Sequence, residues 1–328
     1  MTMSERLVAL LDNPLIIKDA VSRMRSWRAP VILTIYLGLL GAFGYASFVT
    51  ATVLAPSQRT TGSAQIGASV FASLAFIQLS LACLFAPALA AGAISGERER
   101  QTFDVLLVSR MTAVGIVWGK LVASVAFMLL LILSALPLFA AVFLFGGIDF
   151  EQFLVTQILT VSTAVSIGAV SLFLSAVFRR TLPSTVVAYG VAFAGTIGTL
   201  VAGLLFTFAL AVRGSAAATA QAATDFHPLL FANPFYALFV VLDPTQGHPM
   251  HVGRLIQLLF FMTSQPSGIG PELEPWQAAV LVQIVLVVLA VVGAVQLVQA
   301  RRAPMPSRLP EPVEAAAPEP PAGEEVAP

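Results

Sequence analysis

The sequence predicts an all-α integral membrane protein with six transmembrane helices, and three observations lead there. First, 58% of its 328 residues are hydrophobic and 10% charged, against about 25% charged in a soluble domain, and the mean hydropathy is +0.89. Second, six apolar runs are long enough to cross a bilayer, which takes about 20 residues: 31–54, 68–94, 121–145, 153–178, 184–212 and 276–299, none holding Asp, Glu, Lys, Arg or His. Third, the basic residues alternate in density between the connecting segments. Arg6, Lys18, Arg23, Arg25 and Arg28 precede the first run; Arg98, Arg100, Arg110 and Lys120 separate the second and third; Arg179 and Arg180 follow the fourth; Arg301, Arg302 and Arg308 follow the sixth. The alternate segments hold only Arg59, Arg213 and Arg254. Cytoplasmic loops are the ones enriched in Lys and Arg, so both termini are expected in the cytoplasm and the chain in the cytoplasmic (inner) membrane.

The elements follow in order. Residues 1–30 form a cytoplasmic entry whose stretch "DNPLIIKDAVSRMRSWRAP" has Asn13 as N-cap and Pro14 at the first helical position, a helix-start signal. Ile16, Ile17, Ala20, Val21, Met24 and Trp27 recur at three- and four-residue steps, with Lys18, Ser22, Arg25 and Ser26 mostly opposite. Such a helix lies in the membrane plane, so Lys18, Arg23, Arg25 and Arg28 are expected near lipid phosphates and Trp27 among the headgroups. The late first run, behind this charged segment and without a small-residue cleavage pattern, is not read as a removable signal. Pro30 opens the first run, while Pro87 and Pro137 fall inside the second and third, where a missing backbone donor kinks a helix. Cys83, the single cysteine, sits in an apolar run and is read as a packing residue.

Residues 213–275 are expected outside the membrane. Within them "HPLLFANPFYALFVVLDP" (227–244) and "RLIQLLFFM" (254–262) are apolar but short, and are read as short helices packed on the outer bundle or half-dipped into the interface. The tail 301–328, rich in Pro, Ala and Glu, is expected to be disordered. No soluble domain and no internal repeat is visible.

Several function classes fall away. "GIVWGKL" (115–121) has three residues between its glycines where a phosphate loop has four, and Leu121 stands where that loop needs Ser or Thr for magnesium. His248 and His251 in "DPTQGHPMH" are of ligand type, but Pro249 between them works against a shared aim, and no metal site is assigned. No catalytic triad or intramembrane carboxylate pair is present, so the chain is not read as an enzyme, and no basic block with interleaved aromatics suggests nucleic acid. Thr156, Thr160 and Thr163 share one face of the fourth run; their hydroxyls are read as backing onto carbonyls or joining helices.

One stretch resists a purely topological reading, "AISGERERQTFDVLLVSR" (93–110). Ser95 can cap a helix with Glu97 in its first turn, where the dipole favours an acid. Phe103, Leu106 and Leu107 then share a face, with Arg98, Gln101, Thr102 and Asp104 around the rest. A stop-transfer loop needs charge alone, whereas an apolar ridge with charged shoulders suits a partner's groove. The expectation is a lateral helix over about 96–110 that presents this ridge.

The entry segment, this patch, a nearby "WGK" (118–120), six runs and a large segment before the last together resemble the permease subunits of ABC-2 type ATP-binding cassette transporters, over most of residues 13–299. In that family the patch is Glu-rich, then Gly-Thr, then an acid and a Leu pair. Thr102, Asp104, Leu106 and Leu107 match, while Gln101 replaces the Gly and Arg110 a frequent Pro. The resemblance implies a separately encoded cytoplasmic ABC ATPase docked on the 96–110 helix, a second permease copy or paralogue, a lipid environment and export as the direction. ATP and Mg are then used by the ATPase, and this chain binds no cofactor. It also implies coupling contacts at Glu97, Arg98, Glu99, Arg100, Thr102, Phe103, Asp104, Leu106 and Leu107. Arg179 and Arg180 are secondary coupling candidates, read first as topology determinants. Of the alternatives, an ion-driven secondary transporter lacks the acidic or His residue that proton relays use inside the bundle. A non-transporting scaffold or receptor gives no reason for the amphipathic charged patch.

Overall fold

The computed structural model describes residues 27–54, 63–103, 112–212, 230, 232–243, 250–251 and 272–301. Within them the chain forms α1 (Arg28–Val49), α2 (Ser63–Ala90), α3 (Ser95–Glu99), α4 (Ala113–Ser134), α5 (Leu136–Phe143) and α6 (Phe150–Val177). After these come α7 (Thr181–Phe193), α8 (Thr199–Val212), α9 (Pro234–Leu242) and α10 (Pro275–Ala300). π-Helical turns extend α1 over Thr50–Leu54 and join α7 to α8 over Ala194–Gly198. Six helical stretches have the length and apolarity to cross a membrane. Among the described residues the fold is all-α apart from one two-residue antiparallel pairing, Met250 opposite Leu273 and His251 opposite Glu272. The interfacial-helix residues Lys18, Arg23 and Arg25, the segment 254–262, His248 and the tail beyond Arg301 lie outside the described residues; Trp27 is exposed just before α1.

α6 is the axis of the bundle, packing on α2, α4, α7, α9 and α10. Its most apolar window is 61% buried, against 11% for α1 and 17% for the α7 stretch, which places those two at the periphery. Lipid tails give no hydrophobic drive for helix association, so close backbone approach must supply it. Small residues provide that approach: Ala169 and Ala176 of α6 are buried in one cluster with Ala290 and Ala294 of α10. At Gly293 a methyl group would come within 2.8 Å of the Phe173 ring. Where the chain turns after α5, Gly147 has φ +81° and meets Ala64, so closely that a Cβ would lie 2.1 Å from its carbonyl oxygen. Only glycine fits there on both counts.

Neutral amides bridge the helices inside. Gln78 of α2 and Gln157 of α6 exchange two side-chain bonds, 3.2 and 3.3 Å. Gln283 of α10 donates to Thr163 (2.9 Å) and accepts from Ser162 (2.5 Å), both on α6. Thr163 in turn donates to the Leu159 carbonyl and Thr160 to that of Thr156. Thr156 Oγ1 is buried with no hydrogen-bond partner.

Boundaries differ from the sequence expectation in one place that matters. The third crossing begins at Ala113, eight residues before the expected Leu121, because Thr112 caps it by accepting from the Gly115 amide at 3.1 Å. Lys120 therefore lies inside a helix and is 3% exposed, not in a loop as expected. Pro87 sits inside α2. Pro137 falls where the third crossing breaks at Ala135 into α4 and α5.

Candidate coupling site

α3 follows α2 after a turn at residues 91–94, and its side chains point inward more than the sequence suggested. Ser95 does not cap it: the N-cap is Ile94, with no side-chain cap bond of its own. The capping acceptor comes from another helix. Ser175 Oγ of α6 accepts from the amides of Ile94 and Ser95, both at 2.9 Å, and donates to Ser95 Oγ at 3.2 Å. First-turn amides have no partner within their own helix, so the start of α3 is satisfied by α6. Ser95 Oγ and Ser184 Oγ both donate to the Ala91 carbonyl, 3.1 and 2.8 Å, which also ties in α7.

Three successive charges then fasten α3 to three different places. Glu97 pairs with Lys120 of α4 at 3.1 Å and accepts a short bond from Thr102. Arg98 donates from Nη1 to the Phe178 carbonyl at 2.9 Å and from Nη2 to the Ala176 carbonyl at 2.8 Å. These oxygens belong to the end of α6, where carbonyls lack helical partners and the dipole is negative. Glu99 accepts from the Thr181 amide (2.9 Å) and hydroxyl (2.8 Å) at the first residue of α7. An acid there matches the positive end of that dipole. Thus one five-residue helix holds α4, α6 and α7 together.

The expected continuous helix over 96–110 is interrupted. Gln101 has φ +58°, the Gln101 amide donates to Arg98 O, and the Thr102 amide donates to Glu97 O at 2.9 Å. This left-handed exit is the paired C-terminal cap that usually takes glycine, so the helix ends at Glu99. Phe103, expected on a ridge facing a partner, is 4% exposed. It packs with Ile94, Val117, Leu172 and Ala294, and the Arg98 guanidinium lies 5.0 Å over its ring. Burial follows from the reversal at Gln101, which swings the chain back onto the bundle. Asp104, Leu106 and Leu107 lie outside the described residues. Glu99, Arg100, Gln101 and Thr102 form the exposed rim.

Arg179 and Arg180, placed second by the sequence, are exposed in the turn between the Arg98-bound carbonyls and Thr181. The charges of Arg179 and Arg301 lie near enough to act on Arg98, so the end of α10 belongs to the same cluster. Sequence reasoning missed Lys120, Ser175, Thr181 and Ser184. Lys120 was counted as a loop cation because it borders an apolar run, and Ser175 carried no signal among the many hydroxyls of α6. Among the described residues no group of three His, Cys, Asp or Glu is placed to hold a metal.

Comparison with curated proteins gave no significant match. Six apolar helices around one axis, with a charged junction at one end, accord with a family model described as ABC-2 family transporter protein, which matches residues 14–300. The chain therefore belongs to the ABC-2 family and is a multi-pass membrane permease of an ABC transporter.

Proposed function

We propose that this permease works with a separately encoded ABC ATPase, and that α3 and the turn behind it are where the ATPase's motion enters the membrane. The observation that carries the reading is the threefold fastening of α3. A displacement of α3 pulls at once on Lys120 of α4, on the last carbonyls of α6 and on the first residue of α7. A packed, hydrogen-bonded junction shared by three helices is a physical route for coupling, where proximity alone is not. The exposed rim Glu99, Arg100, Gln101 and Thr102, with Arg179 and Arg180 beside it, meets the ATPase. The Lys and Arg bias supports a cytoplasmic position for this end and for both termini. Two permeases, identical or paralogous, and two ATPases make the working unit, ATP and Mg being held by the ATPases, and cargo leaves the cell. The buried Glu97–Lys120 pair does not revive an ion-driven reading, since it sits at the α3 junction within two turns of the start of α4.

The test is co-reconstitution of the chain with its partner ATPase. In Arg98→Gln the ATPase is expected to remain bound while cargo-stimulated ATP hydrolysis is lost, because the guanidinium link to the end of α6 is gone. Unchanged stimulation in Arg98→Gln removes α3 as the coupling element.

A further inference from the structure

Between α6, α7 and α10 lies a half-open pocket of about 310 Å³, with Ala232 and Pro234 at the start of α9 at one end and Val191 and Leu286, 44% and 43% exposed, at its mouth. Its volume is in the range of small-molecule sites, about 300–1,000 Å³. The walls are largely apolar, with Ile167, Val170, Val191 and Leu286 among them, and among the described residues no lining residue carries a charge. An ion would be desolvated there without a counter-charge, which costs far more than burying a neutral group.

The polar lining is specific in what it offers. Thr163, Ser166, Ser171 and Thr196 each give their hydroxyl proton to a main-chain carbonyl three or four residues back, at 2.7, 3.0, 2.7 and 2.7 Å. What these hydroxyls can present to the pocket is therefore oxygen lone pairs, although Thr163 already accepts from the amide of Gln283, which also lines the pocket. A guest matches them with an O–H or N–H of its own.

The cavity is also held open by a built feature. Its α7 side is the π-helical turn Ala194–Gly198, and single π turns recur at functional sites. Asn233, fully buried, donates to the Thr196 carbonyl and to Thr199 Oγ1, both at 2.5 Å, while its Oδ1 caps α9 by accepting from Phe235 and Tyr236. One side chain thus fixes the π turn and the cavity's end. Gly195 lies on the wall of the cavity, and a methyl added there meets open space.

We infer that this cavity binds an uncharged, predominantly apolar molecule bearing a hydrogen-bond donor, of the class of long-chain alcohols. The alkyl chain lies along Ile167, Val170 and Leu286, and the hydroxyl donates to Ser166, whose own proton is given to the Thr163 carbonyl. Binding is a property of this chain and does not depend on the ATPase reading.

The experiment uses the full chain in phosphatidylcholine nanodiscs and a photoreactive dodecanol carrying a diazirine. Crosslinks are expected in α6, α7 and α10, competed by unlabelled dodecanol and not by dodecyl phosphate or dodecyltrimethylammonium. Gly195→Phe fills the open space and is expected to abolish that labelling; Ala192→Phe, from the neighbouring wall position, does the same if the first variant does not fold. No labelling of the wild type, labelling that survives both fillings, or equal competition by the charged amphiphiles overturns the assignment. Competition by phosphatidylcholine-derived lysolipid alone overturns the class and leaves an ordinary lipid groove.

Discussion

Two short helices are pinned to the bundle by opposite chemistries. α3 is held by charge, through Glu97 to Lys120, Arg98 to the last carbonyls of α6, and Glu99 to the start of α7. α9 is held by one neutral amide, Asn233, on a carbonyl and a hydroxyl of the π turn. Exposure and pairing explain the choice. Glu99 reaches solvent and Lys120, 3% exposed, has Glu97 opposite it, whereas Asn233 is fully buried among neutral partners, where an unpaired charge would be desolvated at a cost that an amide avoids. The difference has a mechanical meaning. A neutral, buried anchor fixes a wall, while charged anchors at a wet edge can be repartnered when another protein brings charges of its own.

The largest expected effect is at Phe103, because it separates a buried anchor from an exposed docking ridge. Phe103→Ala is expected to cost about 3–5 kcal/mol, the range for emptying a buried aromatic site, with further loss from the ring under Arg98. Thermal unfolding of the purified chain measures it. A melting temperature equal to the wild type's would mean that Phe103 faces outward and would restore the ridge.

Glu97 comes next. Replacing it by Gln takes the carboxylate from opposite an ammonium that is 3% exposed, and breaking a buried pair from one side costs about 3–5 kcal/mol. Glu97 is itself 27% exposed, so the lower end, about 3 kcal/mol, is expected. The double variant Glu97→Gln, Lys120→Met should recover most of the loss, as removal of both charges does elsewhere. Additive losses in that double variant would show that the two residues act separately.

Six apolar runs and the charged interruption were legible in the sequence because length and hydropathy are local properties. What was not legible depended on contacts far along the chain. Lys120 reads as a loop charge until Glu97, 23 residues earlier, is placed beside it. Ser95 reads as a cap until Ser175 of α6 takes that place. Gln78, Gln157 and Gln283 lie within apolar runs, but nothing local says that the first two pair with each other and the third with Ser162 and Thr163. The row of Thr156, Thr160 and Thr163 was read correctly in kind for the second and third, whose hydroxyls back onto carbonyls.

The neutral anchor can be tested by giving it a charge. Asn233→Ala loses the cap of α9 and the bond to Thr196, and is expected to cost about 1–2 kcal/mol. Asn233→Asp keeps a capping acceptor but sets a carboxylate against the Thr196 carbonyl, to which it cannot donate. It should be worse than Ala, reversing the order found at exposed caps. Hydrogen exchange at the Phe235 and Tyr236 amides, which Asn233 now protects, reads the cap separately from overall stability. If Asp proves milder than Ala, water reaches this site and the contrast between the two anchors fails.

The smallest effect bears on the exit from α3. Gln101 holds φ +58°, a conformation that costs a residue with a Cβ roughly 1–2 kcal/mol, and glycine is the residue expected at such a C-terminal cap. Gln101→Gly removes that strain but loosens the unfolded chain, which takes back about 0.4–1 kcal/mol. A net gain of about 0.5–1 kcal/mol is therefore expected, seen as a small rise in melting temperature, while Gln101→Val should lower it through its branched Cβ. The rim position of Gln101 between Arg100 and Thr102 makes the same pair of variants informative with the ATPase present. A Gly variant that is more stable alone yet binds the ATPase less well would mean that the strained glutamine is kept for its side chain. A Gly variant that binds equally well would mean that the turn alone is what the junction requires.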